Sequence, residues 1–205
     1  MTAPHSPLAA APSPATLPAD KAGWRAAADG VLRNRTPQQR KAHAATLARH
    51  VVALAQARGC QRVAVYAPIG AEPDTRDVAN ALLVAGIGLA YPRLLPDGSA
   101  LQMVPCAGPS ALQPRPRSRL LEPPGPPCDP GQIDLIVVPT VALSPEGVRL
   151  GRGGGHYDRY LPLVRADVPR VAAVAAGCVW PWQPQEDHDA RVGLAITEAG
   201  LFSCG

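Results

Sequence analysis

Aromatic side chains are scarce: one Phe, three Trp and four Tyr, 4% of 205 residues. None forms the ring-rich stretch of an RNA-reading module, and no zinc knuckle appears, so nucleic acid is not an expected partner. Lysine is almost missing, with Lys21 and Lys41 standing against 18 arginines. The five cysteines (Cys60, Cys106, Cys128, Cys178 and Cys204) are odd in number and never spaced C-x-x-C. That excludes a disulfide scaffold and a zinc site, and points to a reducing compartment. The longest apolar stretch, residues 171–180, is too short to span a bilayer, and residues 1–20 lack the Lys or Arg that opens a secretory signal. A soluble cytoplasmic protein, working as a monomer away from membranes, is expected.

What is present is an ordinary globular composition, 46% hydrophobic and 18% charged, with a net charge of +4. The basic balance suits an anionic ligand such as a polyphosphate or polycarboxylate, although a solvated basic surface would look the same. Proline is abundant and uneven: of 25 residues, five fall in 1–18 and nine in 105–130. Residues 1–18 read as a disordered tail, and 19–205 as one domain.

Apolar periodicity predicts a helix from Asp20 to about Leu32. A second helix starts at Thr36, where Pro37 and Gln39 complete a capping box, and runs to Gly59. The period then changes. Residues 63–67 read as a strand, 75–86 as a helix capped by Asp74 or Thr75, and 88–91 as a strand closed by Pro92. Residues 101–104 suggest another strand, and 105–130 an irregular, proline-rich edge. The run IDLIVV at 133–138 has the look of a buried central strand. A helix over 156–164 and strands at 171–176 and 193–197 follow. Alternation of this kind predicts an α/β layered sandwich, a mainly parallel central sheet flanked by helices in a Rossmann-like topology.

The segment Arg149-Leu-Gly-Arg-Gly-Gly-Gly-His-Tyr-Asp-Arg159 carries the strongest chemical signal. Gly151, Gly153, Gly154 and Gly155 let backbone N–H groups approach an anion, at the start of the predicted helix. Arg149, Arg152 and Arg159 supply planar forks suited to phosphate. It is neither a dinucleotide fingerprint, since position 156 is His rather than Gly, nor a Walker loop, since no G-K-[ST] follows. Asp158 can serve the helix N-terminus or hold Mg²⁺, which favours one or two carboxylates plus substrate phosphates. The acidic stretch Glu186-Asp-His-Asp189 is a polar turn or a second metal carboxylate.

With these residues assembled, the sequence resembles the 5-formyltetrahydrofolate cyclo-ligase family over about residues 20–200. Lys21-x-x-Trp-Arg25 is similar to the family's opening K-x-x-L-R, and Tyr66-Ala-Pro-Ile-Gly-Ala-Glu-Pro-Asp-Thr75 to its Y-x-P-x-x-x-E-V-D-T. Residues 133–161 resemble the long signature around R-L-G-x-G-x-G-Y-Y-D-R, and 184–189 followed by Thr197 the family's ending. His156 departs from the first Tyr of that signature, Thr140 and Leu143 from a Gly and a Phe, and Cys178 from a common Gln.

The resemblance implies a folate enzyme of one-carbon metabolism. ATP phosphorylates the formyl oxygen of 5-formyltetrahydrofolate, with or without a polyglutamyl tail. Ring closure by N10 then gives 5,10-methenyltetrahydrofolate, ADP and phosphate. By resemblance, Lys21, Arg25, Arg149 and Gly151, Arg152, Gly153, Gly154, Gly155, His156 and Tyr157 bind ATP. Arg149, Arg152 and Tyr157 are then closest to the chemistry. Asp158 and Asp189 hold Mg²⁺, and Ala67, Glu72, Met103 and His156 meet the folate. The alternative from the residues alone is a non-catalytic relative that binds a nucleotide, sugar phosphate or RNA.

Overall fold

Asp20 begins the first helix by accepting a hydrogen bond from the Gly23 N–H at 2.8 Å. The computed structural model describes residues 18–181, 186 and 189–205, so the proposed tail lies outside it except for Pro18. In chain order the elements are α1 (Lys21–Arg33), α2 (Pro37–Ala57), β1 (Arg62–Ala64), α3 (Arg76–Val84), β2 (Gly88–Leu94) and β3 (Leu101–Cys106). Two short strands, β4 (Gln113–Pro114) and β5 (Leu121–Glu122), pair within the proline-rich segment. Then come β6 (Leu135–Pro139), β7 (Ala142–Leu143), β8 (Arg149–Leu150), α4 (His156–Tyr160), β9 (Arg170–Ala173), β10 (Leu194–Thr197) and β11 (Gly200–Ser203).

The main sheet has seven strands in the order β11-β10-β9-β6-β1-β2-β3. Its five inner strands are parallel, and β3 and β11 close the two edges antiparallel. Alternation along the strands splits the core into two layers. Val63, Leu89, Leu135, Val137, Val171 and Ile196 pack beneath α2 and α3, with Leu47, Val51, Val78 and Leu82. Ala64, Ala90, Ile136, Val138, Ala172 and Ala195 face the other way, towards Trp24, Ala28 and Leu32 of α1. Four of those six strand positions are alanine, and α1 packs over this face through the turn at Ala176–Cys178 and through β7. Trp24 meets Trp180 there at 5.8 Å between ring centroids. Truncating fully buried Leu47, Leu82 or Leu135 to alanine removes about 2–5 kcal/mol of stability.

Several expected boundaries move. β1 is only three residues long because the chain leaves the sheet after Val65, whose N–H still donates to the Ala90 carbonyl at 2.9 Å, to build the site. β2 does not stop at Pro92. β1 pairs with it only as far as Ala90, so the missing proline N–H lies beyond that partner strand. The predicted helix over 156–164 is α-helical for five residues and then tightens to a 3₁₀ turn at Leu161–Leu163, where Pro162 cannot continue it. Thr75 makes no side-chain cap; its hydroxyl donates to the Tyr66 carbonyl instead. The hairpin β7–β8 and the edge strand β11 were not expected, being two residues per strand and weakly patterned respectively.

From β1 the chain returns to the sheet on one side, at β2, and from β6 on the other, at β9. The adjacent carboxyl ends of β1 and β6 therefore diverge and leave a crevice, the usual ligand position in open α/β sheets.

Candidate active site

A cavity of about 500 Å³ opens at this crevice. Tyr66 and Glu72 reach it from the segment after β1, and Pro139 and Val141 from the end of β6. The glycine loop from Gly151 to Gly155 forms one wall, and Lys21 and Arg25 of α1 form another. Leu101, Leu120, Leu121 and Glu122 close the apolar end, so the proline-rich segment contributes a wall to the cavity.

The loop is mounted on buried structure. β7 and β8 are both buried, and the Leu150 carbonyl accepts the Val141 N–H at 2.9 Å. Arg149, only 3% exposed, sends Nη2 to Asp158 Oδ1 at 2.8 Å and lies 5.6 Å from the centre of the Tyr157 ring. Burial pushes the Arg149 guanidinium below its ordinary value while Asp158 opposes the shift. Tyr157 is pushed far upward by burial, and its hydroxyl has no hydrogen-bond partner among the described residues. It stays a neutral phenol at the cavity wall.

Glycine is required at two places. Gly155 precedes α4 with φ +63°, and Gly153 has φ +98° with the Arg25 guanidinium 3.3 Å from where a Cβ would sit. Arg25 also donates from Nε to the Gly151 carbonyl at 2.8 Å, which binds α1 to the loop. Arg152, at the loop's crest, donates from Nε to Glu72 Oε1 at 3.0 Å and from Nη1 to Asp29 Oδ1 at 2.6 Å. His156 bonds through Nε2 to the Gly98 carbonyl at 3.0 Å, and Arg159 to those of Ser99 and Gly154. Arg159 thus fastens the loop to the β2–β3 turn and does not line the cavity.

Lys21 Nζ lies 2.8 Å from both Glu186 Oε2 and Asp189 Oδ1. Burial would lower its pKa, but these two carboxylates outweigh it and raise it. Among the expected motif residues, Pro184, Gln185, Asp187 and His188 lie outside the described residues. Asp158 and Asp189 both line the cavity. Asp158 Oδ1 takes Arg149 and the Ala190 N–H, and Asp189 takes Lys21 and the Glu186 N–H. Two carboxylates facing a phosphate-shaped loop fit Mg²⁺, which completes its shell with phosphate oxygens and water. No group of three or more potential ligands occurs among the described residues.

These positions match a family of known proteins. The family model described as "5-formyltetrahydrofolate cyclo-ligase family" matches residues 19–198. The chain belongs to this family. A cyclo-ligase relative from Mycolicibacterium smegmatis is 32% identical over 141 residues, covering 66% of this chain and 72% of its own. The mouse 5-formyltetrahydrofolate cyclo-ligase is 25% identical over 194 residues, covering 89% and 96%. A solved structure, the 5,10-methenyltetrahydrofolate synthetase of Aquifex aeolicus, superposes with a TM-score of 0.76 at 25% identity, covering 89% of this chain and 92% of that one.

Of the expected cyclo-ligase site residues, all the ATP-side positions line the one cavity, as do Glu72, Asp158 and Asp189. Two others do not. Met103 is 1% exposed and packed in the core beneath α4, where an unbranched thioether fills space between sheet and helix. Ala67 borders a neighbouring cavity of about 430 Å³, which shares Glu72 and Leu121 with the first. Asp29 was missed. Its signal was spacing: Lys21, Arg25 and Asp29 recur every four residues and so share one face of α1. The Leu120–Leu121 wall had no such signal, because nothing in residues 105–130 tells which leucine returns to the site.

Proposed function

We propose that this cyclo-ligase family member converts 5-formyltetrahydrofolate, with one or more glutamyl residues, to 5,10-methenyltetrahydrofolate while ATP becomes ADP and phosphate. The observation carrying this reading is that the phosphate-suited loop and the carboxylate of Glu72 face each other in one cavity. A nucleotide and a folate ring held on those two groups would bring the γ-phosphate and the formyl oxygen together.

In this reading the formyl oxygen takes the γ-phosphoryl group and ADP leaves. N10 then attacks the formyl carbon and loses its proton, and phosphate departs with the formyl oxygen. Phosphoryl transfer asks chiefly for positioning and charge neutralisation. Lys21, Arg25 and Arg149 supply fixed cations, and the loop N–H groups supply donors. Glu72 orients the aminopyrimidine edge. Tyr157, kept protonated, is available as a hydrogen-bond donor near the transferring group. Mg²⁺ held by Asp158 and Asp189 would neutralise phosphate charge when bound.

The five free thiols and the lack of any described helix long and apolar enough to cross a membrane support a cytoplasmic setting. A monomer suffices, since the cavity is assembled from one chain. The test follows methenyl absorbance and ADP release in parallel, with 5-formyltetrahydrofolate, ATP and Mg²⁺ each omitted in turn. Both products should appear together only in the complete mixture. ATP binding with neither product would overturn the reading.

A further inference from the structure

Arg152 connects the two halves of the cavity in a way that neither half requires by itself. Glu72, whose side chain is 3% exposed, has both oxygens engaged: Oε2 accepts the Ile69 N–H at 3.0 Å, and Oε1 accepts Arg152 Nε at 3.0 Å. The Ile69 bond lies within the carboxylate's own turn and holds it in place. The Arg152 bond comes from across the cavity, from a side chain that is 38% exposed on a glycine-flanked crest. An aminopyrimidine edge needs the oxygen that Arg152 occupies.

We propose that Arg152 couples nucleotide binding to folate binding, with Asp29 as its positioning residue. This rests on the reading of Glu72 as the folate-facing carboxylate. A guanidinium fork prefers a phosphate over a single carboxylate oxygen, because it can give two parallel bonds to it. Phosphate drawn to the glycine loop takes Arg152 Nε away from Glu72, and the freed oxygen becomes available to the folate ring. Asp29, on α1 at 2.6 Å from Nη1, keeps the guanidinium on the loop side during the exchange. Lys21 and Arg25 are bound to other partners and cannot substitute: Lys21 to Glu186 and Asp189, Arg25 to Gly151. Linkage then requires the effect to be mutual, each ligand tightening the other by the same factor.

The experiment measures the Kd of 5-formyltetrahydrofolate by calorimetry on the full chain, with and without the non-hydrolysable β,γ-imido analogue of ATP and Mg²⁺. The nucleotide should tighten folate binding roughly tenfold in the wild type. Arg152→Ala should bind folate without nucleotide about as tightly as the wild type does with it, and the nucleotide should add almost nothing. Asp29→Ala should raise the KM for ATP several-fold at unchanged kcat, and should add no further defect in an Arg152→Ala background. Equal folate affinity with and without nucleotide in the wild type, or weaker nucleotide-free binding in Arg152→Ala, overturns the coupling. Glu72→Gln separates the two ideas. If it leaves folate affinity unchanged, the assignment of Glu72 fails; if it weakens folate while the wild type shows no nucleotide effect, only the coupling fails.

Discussion

His43 Nε2 lies 3.2 Å from the carbonyl oxygen of Ile196, tying the first half of α2 to β10 from inside the protein. The ring is fully buried, and its Nδ1 is 3.1 Å from Arg35 Nη2. With Nε2 donating to Ile196, Nδ1 must accept from Arg35, so the folded protein requires a neutral imidazole.

That requirement makes stability depend on pH. Burial, and then the Arg35 charge, bring the His43 pKa down from 6.5 to about 4, only partly offset by the Ile196 hydrogen bond and then Glu198. Below 6.5 the unfolded chain binds a proton that the folded one refuses, so stability is whole above that value and falls as pH drops towards 4. The loss approaches about 3 kcal/mol across the window. Urea unfolding at pH 7 and pH 5 checks it. His43→Gln, which keeps a donor and an acceptor without a proton to gain, should flatten the difference; an equally steep profile would point to another group.

Asp158→Ala should have two consequences. On the proposed reading of Asp158 as a holder of Mg²⁺, turnover of ATP should disappear. The fold should also weaken, because Arg149 keeps only the Tyr157 face and a 3.5 Å contact with the Pro139 carbonyl. Isolating a buried cation costs roughly 3–5 kcal/mol, and the partial exposure of Asp158 puts the value near the lower limit, on the order of 10 °C in Tm. Calorimetry of the variant tests this, and a melting point equal to the wild type's would show that Arg149 does not need its partner.

Gly153→Ala tests the loop directly. Its φ of +98° disfavours any side chain, and the new methyl would press on Arg25. The KM for ATP should rise about tenfold, for a strain of about 1.4 kcal/mol expressed in the loop. Gly30→Ala is the control, since a Cβ there meets nothing within 4 Å in the last turn of α1, and stability should rise by about 0.5 kcal/mol. If Gly153→Ala left ATP kinetics unchanged, the crest would have room to relax and its glycine would not be a binding requirement.

Much of this was legible in the sequence, for reasons that can be named. The capping box at Thr36 and Gln39 forms as written, because it is a purely local bond pair. The IDLIVV run falls at the middle of the sheet because only a strand covered on both faces tolerates that much apolar surface. The glycine loop and its arginines stood out by composition, and the family resemblance picked out other residues that line the same cavity. What stayed hidden was long-range. Arg152 bonds Asp29 across 123 positions and Glu72 across 80, pairings that no spacing announces. Met103 was expected at the folate and is in the core, because a methionine between Gln102 and Val104 in a short strand carries no sign of what its face packs against. The hairpin β7–β8 is too short for any periodicity to show.

The contact between Trp24 of α1 and Trp180 gives the protein an optical gauge. Trp24 sits between Lys21 and Arg25 on the helix that reaches the phosphate loop, with its ring tilted 40° against Trp180. Both rings are nearly sealed from water, and their indole N–H groups have no hydrogen-bond partner among the described residues. Such indoles emit towards the blue, and their emission shifts to the red as water reaches them. A change in how α1 seats against the sheet would thus register as a colour change in the protein's own light, without any label.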